Sequence, residues 1–130
     1  MVFKKQSEFP YLKQYKAKFK VDNKTVFAYK GDIYSNHPLP PDIYVHEVCH
    51  LERQNKIGAD EWEKKYLSDD NFRLAEELMA YRVQLRIVNK YTKDKNKQNE
   101  ARVNCARALA SGLYGGIISY EEAFKRLKIS

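Results

Sequence analysis

His46 and His50 stand four residues apart in the run His46-Glu47-Val48-Cys49-His50. On an α-helix residues four apart lie about 40° apart around the axis, so both imidazoles can act together. That spacing suits a helix here and calls for a second element facing the same side. On such a helix both rings reach one cation, and Glu47 sits where a general base is needed beside a water on that cation. Imidazole nitrogens suit zinc, a borderline-soft ion. The bland alternative is a helix whose histidines only pack or face water.

The flanking residues support the helix. Leu39-Pro40-Pro41-Asp42 is a start signal, with proline tolerated at the first helical position and an acid favoured in the first turn. Nothing breaks the run from Asp42 to Lys56, and Gly58 is placed to end it.

A third ligand can be narrowed by elimination. The chain has three histidines and none follows His50, so a downstream histidine is excluded. His37, in a proline-rich connection upstream, remains an option, and a downstream carboxylate is the better zinc ligand available. The segment from about Asp69 to Tyr91 carries Leu74, Leu78, Tyr81, Leu85 and Val88 at helical period. On a 100° wheel Glu77 falls about 60° from the centre of that stripe and Glu76 about 160° away. Glu77 is therefore expected to face the interior and Glu76 the solvent. A carboxylate on an apolar edge needs a partner, and for Glu77 that partner is either the metal or an arginine such as Arg73 or Arg82.

His46-Glu47-x-x-His50 followed by Glu77-x-x-Ala80 resembles the gluzincin arrangement, in which a second helix supplies a glutamate ligand. Gln54, Gly58, Trp62, Tyr66, Phe72-Arg73, Ala80-Tyr81 and Gln84 are similar to small metallopeptidase-like proteins of bacteriophages and bacteria. Leu113-Tyr114-Gly115 and Ser119-Tyr120-Glu121-Glu122-Ala123 fit the same group, so the resemblance spans roughly Pro40 to Phe124. It implies a zincin-like fold and a zinc peptidase-type site, without naming a substrate. Cys49 is a departure, since many zincins carry Thr or another small residue there.

The remaining features bound the reading. A chain of 130 residues, 43% hydrophobic, with ten tyrosines and six phenylalanines, suits one folded domain over residues 1–130. It holds no 18-residue apolar stretch and its start lacks the apolar run of a secretory signal. The expected setting is therefore the cytoplasm of a bacterial or phage-infected cell, or a virus particle, with no membrane partner. Cys49 and Cys105 form no CxxC or disulfide framework and read as two reduced, buried thiols, with Cys49 as a metal contact the alternative.

Along the chain the expected fold is α+β and zincin-like: a small N-terminal antiparallel sheet, the histidine helix, and three or four further helices. Tyr15–Val21 alternates apolar and basic and reads as a strand, with Thr25–Tyr29 its hairpin partner. Asp32–Ser35 reads as a third strand at the sheet edge, where a peptide substrate could add. Helices are expected near Glu61–Leu67, Asp69–Tyr91, Asn99–Ser111 and Ser119–Leu127, the last opened by a capping box of Ser119 and Glu122. Lys93–Lys97 reads as a solvated linker.

The chemistry implied is zinc-assisted hydrolysis of a peptide bond. His46, His50 and Glu77 hold the metal, Glu47 acts as base, and Tyr114, in the glycine-flanked run Ser111–Gly116, is the candidate donor to the oxyanion. Glycines there let the backbone crowd a site, although Tyr114 equally suits a packed aromatic ending a helix. A net charge of +7, with Lys13, Lys16, Lys18 and Lys20 in one region and Lys90, Lys93, Lys95 and Lys97 in another, raises non-specific nucleic-acid binding as a second role. The plainer reading of those lysines is a wet face. A zincin-shaped binding or structural protein without turnover is the remaining alternative.

Overall fold

The computed structural model describes residues 1–129. Strand β1 (Phe3–Lys4) opens the chain, and a 3₁₀ turn at Gln6–Glu8 leads into helix α1 (Leu12–Lys18). Strands β2 (Phe27–Tyr29) and β3 (Asp32–Tyr34) follow, then helices α2 (Pro41–Ile57), α3 (Ala59–Ser68), α4 (Asp70–Tyr91), α5 (Lys95–Leu109) and α6 (Tyr120–Arg126). A 3₁₀ turn at Gly112–Tyr114 lies between the last two helices. The architecture is α+β, mostly helical, with one small sheet at the N-terminus.

That sheet departs from expectation in three ways. The Tyr15–Val21 segment is not a strand: it forms most of α1 and the extended residue Phe19 that ends it. The strand pattern required Ala17 to be buried with Tyr15 and Phe19, but Ala17 is exposed while both aromatics are buried. Tyr15 and Phe19 are also four apart, so the same residues serve a helical stripe, and packing of those two rings selects it. Secondly, the sheet is mixed, in the order β1-β3-β2, with β1 parallel to β3 and β2 antiparallel to it. Thirdly, Asp32–Tyr34 is the central strand, so the expected edge lies instead at β1 and β2.

The β2–β3 hairpin turns on Lys30-Gly31, both at positive φ (51° and 86°), the geometry that matches the twist of paired strands. Positive φ is unusual for lysine, and α2 supports it. Gln54 of α2, 2% exposed, accepts from the Lys30 N–H (3.0 Å) and donates to the Ala28 carbonyl (2.8 Å). One side chain thus ties the sheet to the histidine helix.

The helices begin and end where their side chains allow. Pro41 opens α2, Asp42 lies in its first turn, and Gly58 at φ 100° ends it and starts α3. Asp69 caps α4 through the Asn71 and Phe72 amides, and Ser119 caps α6 through the Glu122 amide as expected. Asp94 caps α5 through the Asn96 and Lys97 amides. Helix α5 therefore starts at Lys95, and most of the expected linker is its first turn.

Helix α4 packs across α2 and carries α3 and α5 on its other sides, around an aromatic core. Phe9 stacks on Phe27 at 4.3 Å, and Trp62 stacks on Tyr66 at 4.8 Å. Being covered on several sides, α4 buries Arg73, Glu76 and Glu77 as well as Leu78, Tyr81 and Leu85. Among the described residues no helix is long and apolar enough to cross a membrane.

Replacing Gln54 with alanine leaves the Ala28 carbonyl and the Lys30 N–H without that partner. It is expected to cost about 1–3 kcal/mol of stability in urea unfolding. A loss below a few tenths contradicts the tie.

Candidate metal centre

Two consecutive turns of α2 and the middle of α4 bring His46, His50 and Glu77 together in the interior. They are 4%, 5% and 2% exposed. His46 Nε2 lies 3.1 Å from Glu77 Oε1, and His50 Nε2 lies 3.1 Å from Glu77 Oε2. The rings stand at 81° to one another with centroids 4.9 Å apart, so both edges point at the carboxylate. One nitrogen from each ring and one Glu77 oxygen all lie within 4.8 Å of one another. Among the described residues the group comprises these three.

The surroundings fix each member. His46 Nδ1 lies 2.9 Å from Gln84 Oε1, and Gln84 Nε2 donates to Asp42 Oδ2 at 3.1 Å. With the amide oriented by Asp42, Gln84 offers an acceptor for a proton on His46 Nδ1, the tautomer that leaves Nε2 free for a metal. Tyr66 Oη donates to Glu77 Oε2 at 2.7 Å. Tyr81 stands edge-on to His46 at 4.4 Å, and Trp62 leans on His50 at 5.3 Å.

That donor set fits a cation. A neutral imidazole lone pair aimed at a carboxylate oxygen is repulsive unless a proton or a metal stands between them. Four-coordinate zinc, with bonds of about 2.0–2.2 Å, spaces its ligand atoms about 3.3–3.6 Å apart. The two 3.1 Å separations run to different Glu77 oxygens, and with all three ligand atoms within 4.8 Å the group could hold a metal. The three groups are also coupled electrostatically. Burial alone would push Glu77 up, yet the two imidazoles outweigh it and hold its carboxyl below the ordinary range. Burial pulls His50 down, but Glu77 outweighs that and holds the ring above its usual value.

Glu47 is 7% exposed, with Oε2 3.9 Å from His46 Nε2. Burial pushes its carboxyl up to about 8, against the pull of His46. His46, Glu47, His50 and Glu77 all line one cleft of about 310 Å³, whose walls include Val26, Phe27, Cys105, Leu113 and Tyr114. Tyr114 is 8% exposed, and its hydroxyl lies 2.7 Å from that of Tyr81. Arg73, 1% exposed, holds this wall in place by donating to the carbonyls of Tyr114 (3.0 Å) and Tyr66 (2.6 Å) and pairing with Asp70.

Other expectations need correction. Glu76 does not face solvent: it is 3% exposed and accepts from the Trp62 indole (2.8 Å) and Arg53 (3.1 Å). The wheel placed it away from the leucine stripe, but α3 covers that side too. Neither arginine pairs with Glu77, since Arg82 bonds the Arg126 carbonyl and Arg73 the partners above. His37 is exposed in the loop after β3, where its carbonyl accepts from Ser35 Oγ, and it takes no part in the cluster. Cys49 is buried outside the group, its thiol pushed up to about 11 by burial, and burial pushes Cys105 up to about 12.

Tyr66 and Gln84 entered the sequence reading only through the resemblance, with no role attached, and Arg73 entered otherwise only as a candidate partner for Glu77. The glutamine three residues after Tyr81 on α4 was the one local signal that a histidine could be supported from that helix. Compared with protein-family models, curated proteins and solved structures, the chain has no significant match.

Two outcomes are expected. Glu76→Ala leaves the Trp62 N–H without its acceptor and costs about 1–3 kcal/mol in denaturant unfolding, with a shift in tryptophan emission. Both thiols resist a thiol-reactive disulfide reagent at pH 8 in the folded protein and react once guanidinium unfolds it. Free-thiol kinetics for either in the folded state contradicts their placement.

Proposed function

We propose that this protein is a zinc-dependent peptidase of the gluzincin kind on a zincin-like scaffold, with His46, His50 and Glu77 as metal ligands. The observation that carries the reading is the convergence of two imidazole nitrogens and a carboxylate in a buried group that lines a cleft also reached by Glu47. The resemblance of His46-Glu47-x-x-His50 and Glu77-x-x-Ala80 to the gluzincin pattern supports it.

Zinc bound there supplies Lewis acidity, polarising a substrate carbonyl and making a water more acidic. The chain's own residues do the rest. Gln84 holds the His46 proton at Nδ1, which keeps Nε2 free for the metal. The raised Glu47 carboxyl would be lowered by a cation held by the histidines, and as a carboxylate it would accept the proton of the attacking water and pass it to the departing amine. Tyr114 Oη donates to the carbonyl oxygen as it becomes negative, while Tyr81 and Arg73 fix where that hydroxyl stands. Burial holds the Tyr114 hydroxyl well above its ordinary pKa, so it remains a donor at neutral pH. The apolar walls exclude competing water and suit a substrate with an apolar side chain beside the scissile bond. Val26, Phe27 and Ala28 bring the start of β2 to the cleft, although Gln54 already takes the Ala28 carbonyl.

The test compares the unaltered protein, Glu77→Ala and Glu47→Gln after identical dialysis, by zinc per chain and by hydrolysis of an unfolded fluorescent protein substrate. The unaltered chain is expected to hold one zinc and Glu77→Ala to lose it. Glu47→Gln is expected to keep the zinc and lose activity by about 10²–10⁴-fold. Zinc without hydrolysis in the unaltered protein favours the non-catalytic binding protein. No zinc in it sinks both readings.

A further inference from the structure

His46 has a partner at each ring nitrogen, and His50 does not. His50 Nε2 faces Glu77, but its buried Nδ1 has no hydrogen-bond partner. One other buried side-chain atom among the described residues shares that condition: Oε1 of Glu63. Glu63 is 0% exposed, and its other oxygen accepts from Tyr15 Oη at 2.6 Å. A buried donor or acceptor left unpaired is costly, and these two are complementary in kind once His50 carries a proton on Nδ1.

Their placement matches. Glu63 follows Trp62 on α3, and Trp62 is the residue whose ring leans on His50. His50 and Glu63 line the same cleft, and no hydrogen bond joins them in this structure. A histidine that ligates a metal through Nε2 carries its proton on Nδ1, and that proton calls for an acceptor. For His46 the acceptor is Gln84, itself oriented by Asp42. For His50 no acceptor is bonded, and Glu63, whose other oxygen is held by Tyr15, is the buried carboxylate with an oxygen to spare.

Resting on the metal-centre reading, we propose that Glu63 is the positioning residue for His50, its Oε1 accepting the Nδ1 proton when Nε2 binds zinc. The two histidines are then supported in different ways, one by a neutral amide and one by a carboxylate. Helix α3 thereby becomes part of the site, although it contributes no ligand.

The test measures zinc affinity by competition with a chelating dye, in the unaltered protein and in Glu63→Leu, Glu63→Gln and Tyr15→Phe. Glu63→Leu is expected to bind zinc about 10- to 100-fold more weakly. Glu63→Gln keeps an oxygen acceptor and should recover most of the affinity. Tyr15→Phe leaves Oε1 in place and should change it by less than about 3-fold, the ordinary scatter of such effects. A second readout needs no variant. In ¹H–¹⁵N spectra of the zinc-loaded unaltered protein, the Nδ1 protons of both His46 and His50 should be protected from solvent exchange. A fast-exchanging His50 Nδ1 proton, unchanged affinity in Glu63→Leu, or an equal loss in Tyr15→Phe overturns the assignment alone. Absence of zinc binding by the unaltered protein overturns the metal centre and this assignment with it.

Discussion

The carboxylate of Glu77, buried between the Nε2 atoms of His46 and His50, is the interaction on which the rest of the site depends. Placing an ionised carboxylate in an interior costs several kcal/mol unless charge or hydrogen bonds answer it. Here the answer comes from two rings 3.1 Å away and from the Tyr66 hydroxyl, rather than from the arginines nearby. Arg73 and Arg53 are occupied elsewhere, by carbonyls and Asp70 in one case and by Glu76 in the other. The fold thus keeps arginine away from the one carboxylate that a cation can use, which a merely structural ion pair would not require.

Aromatic packing and a few buried polar ties hold that arrangement. Trp62 and Tyr66 of α3 stack on each other and touch, respectively, His50 and Glu77, so α3 acts as the back wall of the site. Gln54 fastens α2 to the β2–β3 turn, and Arg73 fastens α4 to the wall bearing Tyr114. Each tie is a side chain with almost no exposure that satisfies backbone groups, the kind of contact whose removal leaves unpaired donors or acceptors. The site's geometry therefore follows from the core and does not rest on mobile loops.

Much of this was legible in the chain. The histidine helix was bounded by Pro41 and Gly58, the ring pair followed from its spacing, and Glu77 followed from the wheel of α4. The misreadings have physical causes. Tyr15, Ala17, Phe19 and Val21 satisfy a period of two as well as part of a helical one, and only the burial of two rings without Ala17 separates them. Glu76 escaped because the wheel assumes one buried face, whereas α4 is covered by α2, α3 and α5. Glu63 and Tyr15 gave no local signal: their bond joins residues 48 apart and depends on how α1 meets α3. Partners of that kind belong to tertiary packing, which no spacing rule encodes.

The most direct measurement is anomalous diffraction from crystals grown with zinc, collected on both sides of the zinc absorption edge. The account predicts one strong site per chain, within about 2.0–2.2 Å of His46 Nε2, His50 Nε2 and a Glu77 oxygen. A peak at Cys49 or at surface carboxylates instead, or none at the histidine pair, would contradict it.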